Sequence, residues 1–147
     1  MIPKIRTWDT EMKKMYSWED IIINKEKGDD YLLLGYKEGV ITHFDHKQIP
    51  MMSTYLFDNS NPPKEIFEGD VVAYFDSDEQ ISENVIIRYG KHTDEASVFE
   101  EKPKHIGFYI EATKGTATFD VIGMYEDFKE DIKVIGNIYE NPELLEG

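Results

Sequence analysis

The sequence predicts an all-β fold: a single domain of about ten short strands, wrapped into a barrel or pseudo-barrel, with one short helical turn at the C-terminus. Three observations carry this. Short apolar, β-branched runs alternate with turn residues along the whole chain. No segment shows an amphipathic pattern sustained over three helical turns. Aromatic residues make up 13% of the chain, with nine Tyr, eight Phe and two Trp, which suits a half-buried pleated surface better than a helix bundle.

Residues 2–8 form the first predicted strand, with Ile5 and Thr7 on one face and Arg6 and Trp8 on the other. Asp9, Thr10 and Glu11 interrupt it as a polar turn. Residues 15–18 complete an N-terminal hairpin. The run Ile21-Ile22-Ile23 reads as strand, because three consecutive β-branched side chains crowd a helix. After a charged loop around Gly28, residues 31–36 and 40–44 form a second hairpin across Lys37-Glu38-Gly39. Pro50 cannot donate to a ladder and marks a strand entry or edge. Residues 51–57 are extended and apolar.

Residues 58–64, Asp-Asn-Ser-Asn-Pro-Pro-Lys, have the composition of a surface loop and are the best candidate for an internal break. The stretch Ile66-Phe67-Glu68-Gly69-Asp70 then turns the chain. Gly69 supplies φ > 0, Asp70 an acceptor for nearby amides, and residues 71–75 follow as strand. Residues 76–79 are an acidic loop, 85–89 a strand, and 90–104 a polar, weakly patterned segment expected to be the most mobile part. Residues 106–110 and 116–125 are two strands across Ala112-Thr113-Lys114-Gly115, and 126–131 a short charged turn or one helical turn. Val121-Ile122-Gly123 and Val134-Ile135-Gly136 echo each other, each placing a glycine where the backbone bends or approaches a neighbour. Asn141 is suited to an N-cap, Pro142 to the first helical position and Glu143 to the positive end of the helix dipole. Leu144 and Leu145 would pack that turn down.

Sixteen basic against 30 acidic residues give a net charge of −14, which disfavours a passive electrostatic grip on nucleic acid. The chain has no cysteine, so a disulfide framework, a thiolate zinc site and a cysteine nucleophile are excluded. No apolar run follows the N-terminus as in a secretory signal, and none approaches the ~20 residues of a membrane span. The expectation is a cytoplasmic protein without membrane contact.

Three blocks carry a family resemblance. Lys4, Arg6, Trp8 and Asp9, followed by Lys13-Lys14-Met15, match an opening K-x-R-x-W-D…K-K-M. Ile66-Phe-Glu-Gly-Asp-Val-Val72 matches a central I-Y-E-G-D-I-V. Val134-Ile-Gly-Asn-Ile-Tyr-Glu-Asn-Pro-Glu-Leu-Leu145 is close to a characteristic ending. In this order they resemble the YopX family, small proteins found mostly in phages and prophages. The resemblance implies a predominantly β fold, a mobile-element origin and self-association, and carries no catalytic residue. The chain departs from the family pattern at Ser53-Thr-Tyr-Leu-Phe57 and the loop after it, so the resemblance does not supply that loop's conformation.

Chemistry-bearing clusters are few. His43-Phe44-Asp45-His46 offers two imidazoles, but at a strand end they face opposite ways and spacing fixes no third ligand. Asp76, Asp78 and Glu79 resemble half a calcium loop, with Ile87 standing where the closing Glu belongs. Glu126-Asp127 and Glu130-Asp131 pair carboxylates in a charged turn, the ordinary setting of a solvated surface. Basic residues gather at Lys13-Lys14 and at residues 102–105. The sequence therefore assigns no catalytic residue, metal ligand or cofactor. It points to a non-enzymatic interaction protein that binds a host or phage protein and self-associates. One version has its acidic surface imitate nucleic acid to occupy a DNA-binding partner. The alternatives are a nucleic-acid-binding barrel stacking bases on Trp8, Trp18 and Tyr side chains, and an enzyme with a carboxylate site in a barrel mouth.

Overall fold

The computed structural model describes residues 4–21, 36–37, 40–41, 48–93, 104–113, 118–120, 125–126 and 129–146. The chain is all-β, and its two larger sheets are curled into half-barrels. It divides into two compact units, Met1–Ser53 and Thr54–Gly147.

In the first unit, β1 (Ile5–Asp9) is joined to β2 (Lys14–Tyr16) by a hairpin and pairs on its other side with the first half of β5 (Gln48–Phe57). The Asp9 carboxylate shapes the hairpin tip by accepting the N–H groups of Glu11 and Met12, both at 2.9 Å. Pro50 lies within β5, opposite Thr7. A short hairpin, β3 (Tyr36–Lys37) with β4 (Val40–Ile41), matches the predicted one in kind.

The isoleucine run departs from expectation. Residues 18–21 form a helical turn, not a strand. Ser17 and Asp20 build a reciprocal cap: Asp20 N–H donates to the Ser17 hydroxyl (3.1 Å) and Ser17 N–H to the Asp20 carboxylate (3.0 Å). Ile21 N–H then closes the turn onto the Ser17 carbonyl. Local capping outweighs the modest β preference of Ile21, whose side chain is buried beside Ile5, with Trp18 and Met52 against them. Ile22 and Ile23 lie outside the described residues.

The second unit is organised around β7 (Asp70–Asp76). Sheet order is β11 (Thr118–Asp120), β10 (Lys104–Ala112), β9 (Val85–Thr93), β7, β12 (Ile132–Asn137). Val71, Val72 and Ala73 are fully buried, as a central strand covered on both faces requires. Ile66 from β6 (Glu65–Phe67), Val72, Ile87, Ile110 and Ile132 form the core, one side chain from each of five strands. Ile87→Ala is expected to cost about 2–5 kcal/mol, read as a lowered denaturation midpoint with unchanged m-value.

Residues 90–93 and 104, predicted to be irregular, extend β9 and β10 into a long ribbon. Its charged exposed positions hid a strand period that the cross-strand register reveals, with Gly90 opposite Gly107. The Tyr109 ring lies 3.9 Å from where a Gly90 side chain would begin, covering the bare backbone. Residues 76–79 are likewise no loop: Asp76 pairs with Glu79 across a two-residue turn into β8 (Glu79–Gln80), with Ser77 at φ 57°.

Candidate functional site

Among the described residues the predicted clusters do not converge. His43, Asp45, His46, Lys102 and Asp127 lie outside the described residues. Asp76, Asp78 and Glu79 are exposed on the two-residue turn, which lacks the length to wrap a cation. Glu126 pairs with Lys129 at 3.7 Å, and Glu130 and Asp131 are exposed. Among the described residues no group of three or more acidic, histidine or cysteine side chains is placed to hold a metal ion. Trp8 is buried, and half-buried Trp18 packs one side of its ring on the Ile5–Ile21 cluster. Lys14 lies over the Tyr16 ring, 5.0 Å from its centre.

What the structure does build around the motif blocks is scaffolding. Gly69 takes φ 88°, and the buried Asp70 carboxylate accepts Phe67 N–H at 2.7 Å. Gly69 N–H donates to the Ile87 carbonyl, and its own carbonyl accepts Ile138 N–H. The Glu-Gly-Asp turn thereby ties β6–β7 to β9 and to the C-terminal block.

The C-terminal block has two asparagines at its centre. The buried Asn137 accepts the N–H groups of Tyr139 (3.0 Å) and Glu140 (2.8 Å) and donates to the Glu140 carboxylate (2.9 Å). The closing turn, Pro142–Leu145, is a 3-10 helix with Pro at its start as predicted. Asn141 precedes it, but its side chain does not cap it. Its Oδ1 instead accepts Asn137 N–H at 3.2 Å, because the chain folds back on Asn137 and brings that donor nearer. A side chain at Gly136 would begin 2.5 Å from Asn141 Oδ1 and 2.7 Å from Leu144 Cδ1, so this glycine is needed for close approach. It also sits at the bulge where β12 shifts register on β7.

Sequence reasoning missed two features. The first is Asp58, read as part of a plain surface loop. Its carboxylate is buried and accepts four hydrogen bonds: from Ser60 N–H (3.0 Å) and hydroxyl (2.8 Å), Lys64 N–H (2.8 Å) and Val134 N–H (2.9 Å). Burial raises the carboxyl pKa, but the bonds from Val134, Lys64 and Ser60 outweigh it and hold the group below its ordinary value. Asn59 adds bonds to the Ile132 and Glu130 carbonyls. The Asp-x-Ser spacing of an Asx turn was the available signal; the partner on β12 was not readable.

The second is the face of the β9–β10 ribbon. Ile87, Tyr89 and Lys91 share it with Ile110, Phe108 and Ile106, and Lys104 continues it. The apolar stripe starts in the core at Ile87 and Ile110 and emerges through half-buried Phe108 to Tyr89, 45% exposed, and Ile106, 77% exposed. Tyr89 and Phe108 meet edge to face at 5.0 Å. Lys91, directly opposite Ile106, and Lys104 are exposed. On the reverse face the buried His92 ring stacks on Tyr109 at 4.7 Å.

No curated protein matches the chain significantly. A family model described as YopX protein matches residues 4–146. That span takes in the opening block, the Glu-Gly-Asp turn and the Asn137–Asn141 ending, the same places where the structure ties strands together. The chain belongs to the YopX family.

Proposed function

We propose that the protein is a non-enzymatic interaction module, an accessory protein of the kind carried by phages and prophages, that binds a host or phage protein in the cytoplasm and self-associates. The observation that carries this reading is the apolar stripe of the β9–β10 ribbon, which leaves the core and continues into solvent at Tyr89 and Ile106. Contiguous exposed apolar side chains on a folded β surface are the usual mark of an interaction site. The nucleic-acid alternative is weakened by the burial of Trp8 and the packing of Trp18, and the carboxylate-site alternative by the exposure of Glu126, Glu130 and Asp131.

The test is affinity capture of partners by the full chain from a bacterial lysate, at low and at physiological salt, with light scattering on the purified protein. A stoichiometric protein partner together with a mass above the monomer is expected. A strictly monomeric protein that captures nothing at either salt overturns the reading.

A further inference from the structure

The ribbon stripe has a chemical character opposite to that of the molecule as a whole. The chain carries a net charge of −14, yet Lys91 and Lys104 flank Ile106 on this face, and no acidic residue occupies a described position of the stripe. Arg88 and Glu111, which pair at 3.2 Å, stand on the reverse face. A surface that sets an aliphatic anchor beside two ammonium groups, with an aromatic edge on its core side, is complementary to an apolar side chain flanked by carboxylates.

We infer that the stripe formed by Tyr89, Phe108, Ile106, Lys91 and Lys104 is the docking face for a short segment of a partner protein in which an aliphatic or aromatic residue is flanked by Asp or Glu. This rests on the reading of the protein as an interaction module and names the chemistry of what it binds. Ile106 supplies the anchor contact, since at 77% exposure it has the most apolar surface left to bury. Tyr89 offers a broad contact at low entropic cost, held by its edge-to-face packing on Phe108. The lysines orient the acidic flanks and select against basic segments.

Single-stranded nucleic acid fits the face less well. Two lysines match a pair of flanking carboxylates but neutralise few of the phosphates along a strand, and the most exposed side chain of the face, Ile106, has no ring on which a base stacks.

The experiment is selection of a phage-displayed random peptide library on the full chain, with binding of the enriched peptides to wild type, Ile106→Asp and the double variant Lys91→Glu, Lys104→Glu. Ile106 is exposed, so its replacement leaves the fold intact, checked by an unchanged melting curve. Enriched peptides are expected to place Leu, Ile, Phe or Trp beside Asp or Glu. Ile106→Asp is expected to weaken them at least tenfold, and the double lysine variant several-fold with a flatter salt dependence. Peptides without acidic residues, equal binding to Ile106→Asp, or failure to enrich any peptide would overturn the inference. So would tight binding of an oligothymidylate that Ile106→Asp abolishes. A lysate partner that wild type and Ile106→Asp capture equally refutes this face alone; capture of nothing by wild type refutes the interaction reading itself.

Discussion

Replacing Asp58 by alanine is expected to lower stability by about 3 kcal/mol or more, because the buried carboxylate accepts four hydrogen bonds that alanine cannot replace. The Val134 and Lys64 amides would each lose an acceptor, and the 58–64 loop would lose its attachment to β12. Asp58→Asn tests the charge separately: it keeps the shape, but its amide nitrogen turns a donor towards N–H groups that need an acceptor. The pH dependence follows from the depressed carboxyl. A carboxylate with a lower pKa folded than unfolded stabilises the fold fully above the unfolded value, and that stability is lost as pH falls through the folded value. The wild-type melting temperature is therefore expected to drop in acid, below about pH 4, with a component that Asp58→Asn lacks. Thermal melts of the two proteins from neutral to acid pH measure it. An Asp58→Asn curve parallel to wild type throughout would show that this carboxylate contributes no linkage.

The second large effect is expected at the C-terminal block. Removing residues 138–147 deletes the Ile138 bond to Gly69, the acceptor that Asn141 gives Asn137, and the Leu144 carbonyl that accepts from Asn84 at 3.0 Å. It also uncovers the buried Asn137. A loss of several kcal/mol is expected, enough to unfold a domain of ordinary marginal stability. Gly136→Ala probes the same place with a single methyl group. The clash at Asn141 and Leu144 must push the turn outward, so a cost of about 1–3 kcal/mol is expected. Denaturant titration of both proteins reads the losses. A truncated protein that melts like the full chain would remove the block from the account of stability.

The fold class was legible because it rests on local pattern: strand-length apolar runs, and glycines at turns such as Gly69. What local pattern could not supply was pairing. Nothing near Asp58 announces that its acceptor lies opposite a β12 amide, and nothing near Asn141 shows that Asn137 will compete for its side chain. At Ile21 two local signals conflict: the three-isoleucine run favours strand, while the Ser17–Asp20 cap before it starts a helical turn and prevails. The ribbon stripe was obscured because its alternation spreads over two strands, with glycines at the intervening positions and lysines within it, so that no apolar period shows along either strand alone. Its meaning depends on Ile106 facing Lys91, a register set by pairing across the ribbon.

The position of β7 has a consequence for how the protein is made. Its neighbour β9 follows soon after it, but its other neighbour, β12, comes from late in the chain. Until that segment arrives, one edge of an unusually apolar strand, with Val71, Val72 and Ala73 along it, has no ladder partner. Non-local closure of this kind is expected to slow folding, because the intervening chain must be closed before the pairing forms. Variants that weaken β12 are therefore expected to show first as lost soluble yield, read as the share of expressed chain found in inclusion bodies.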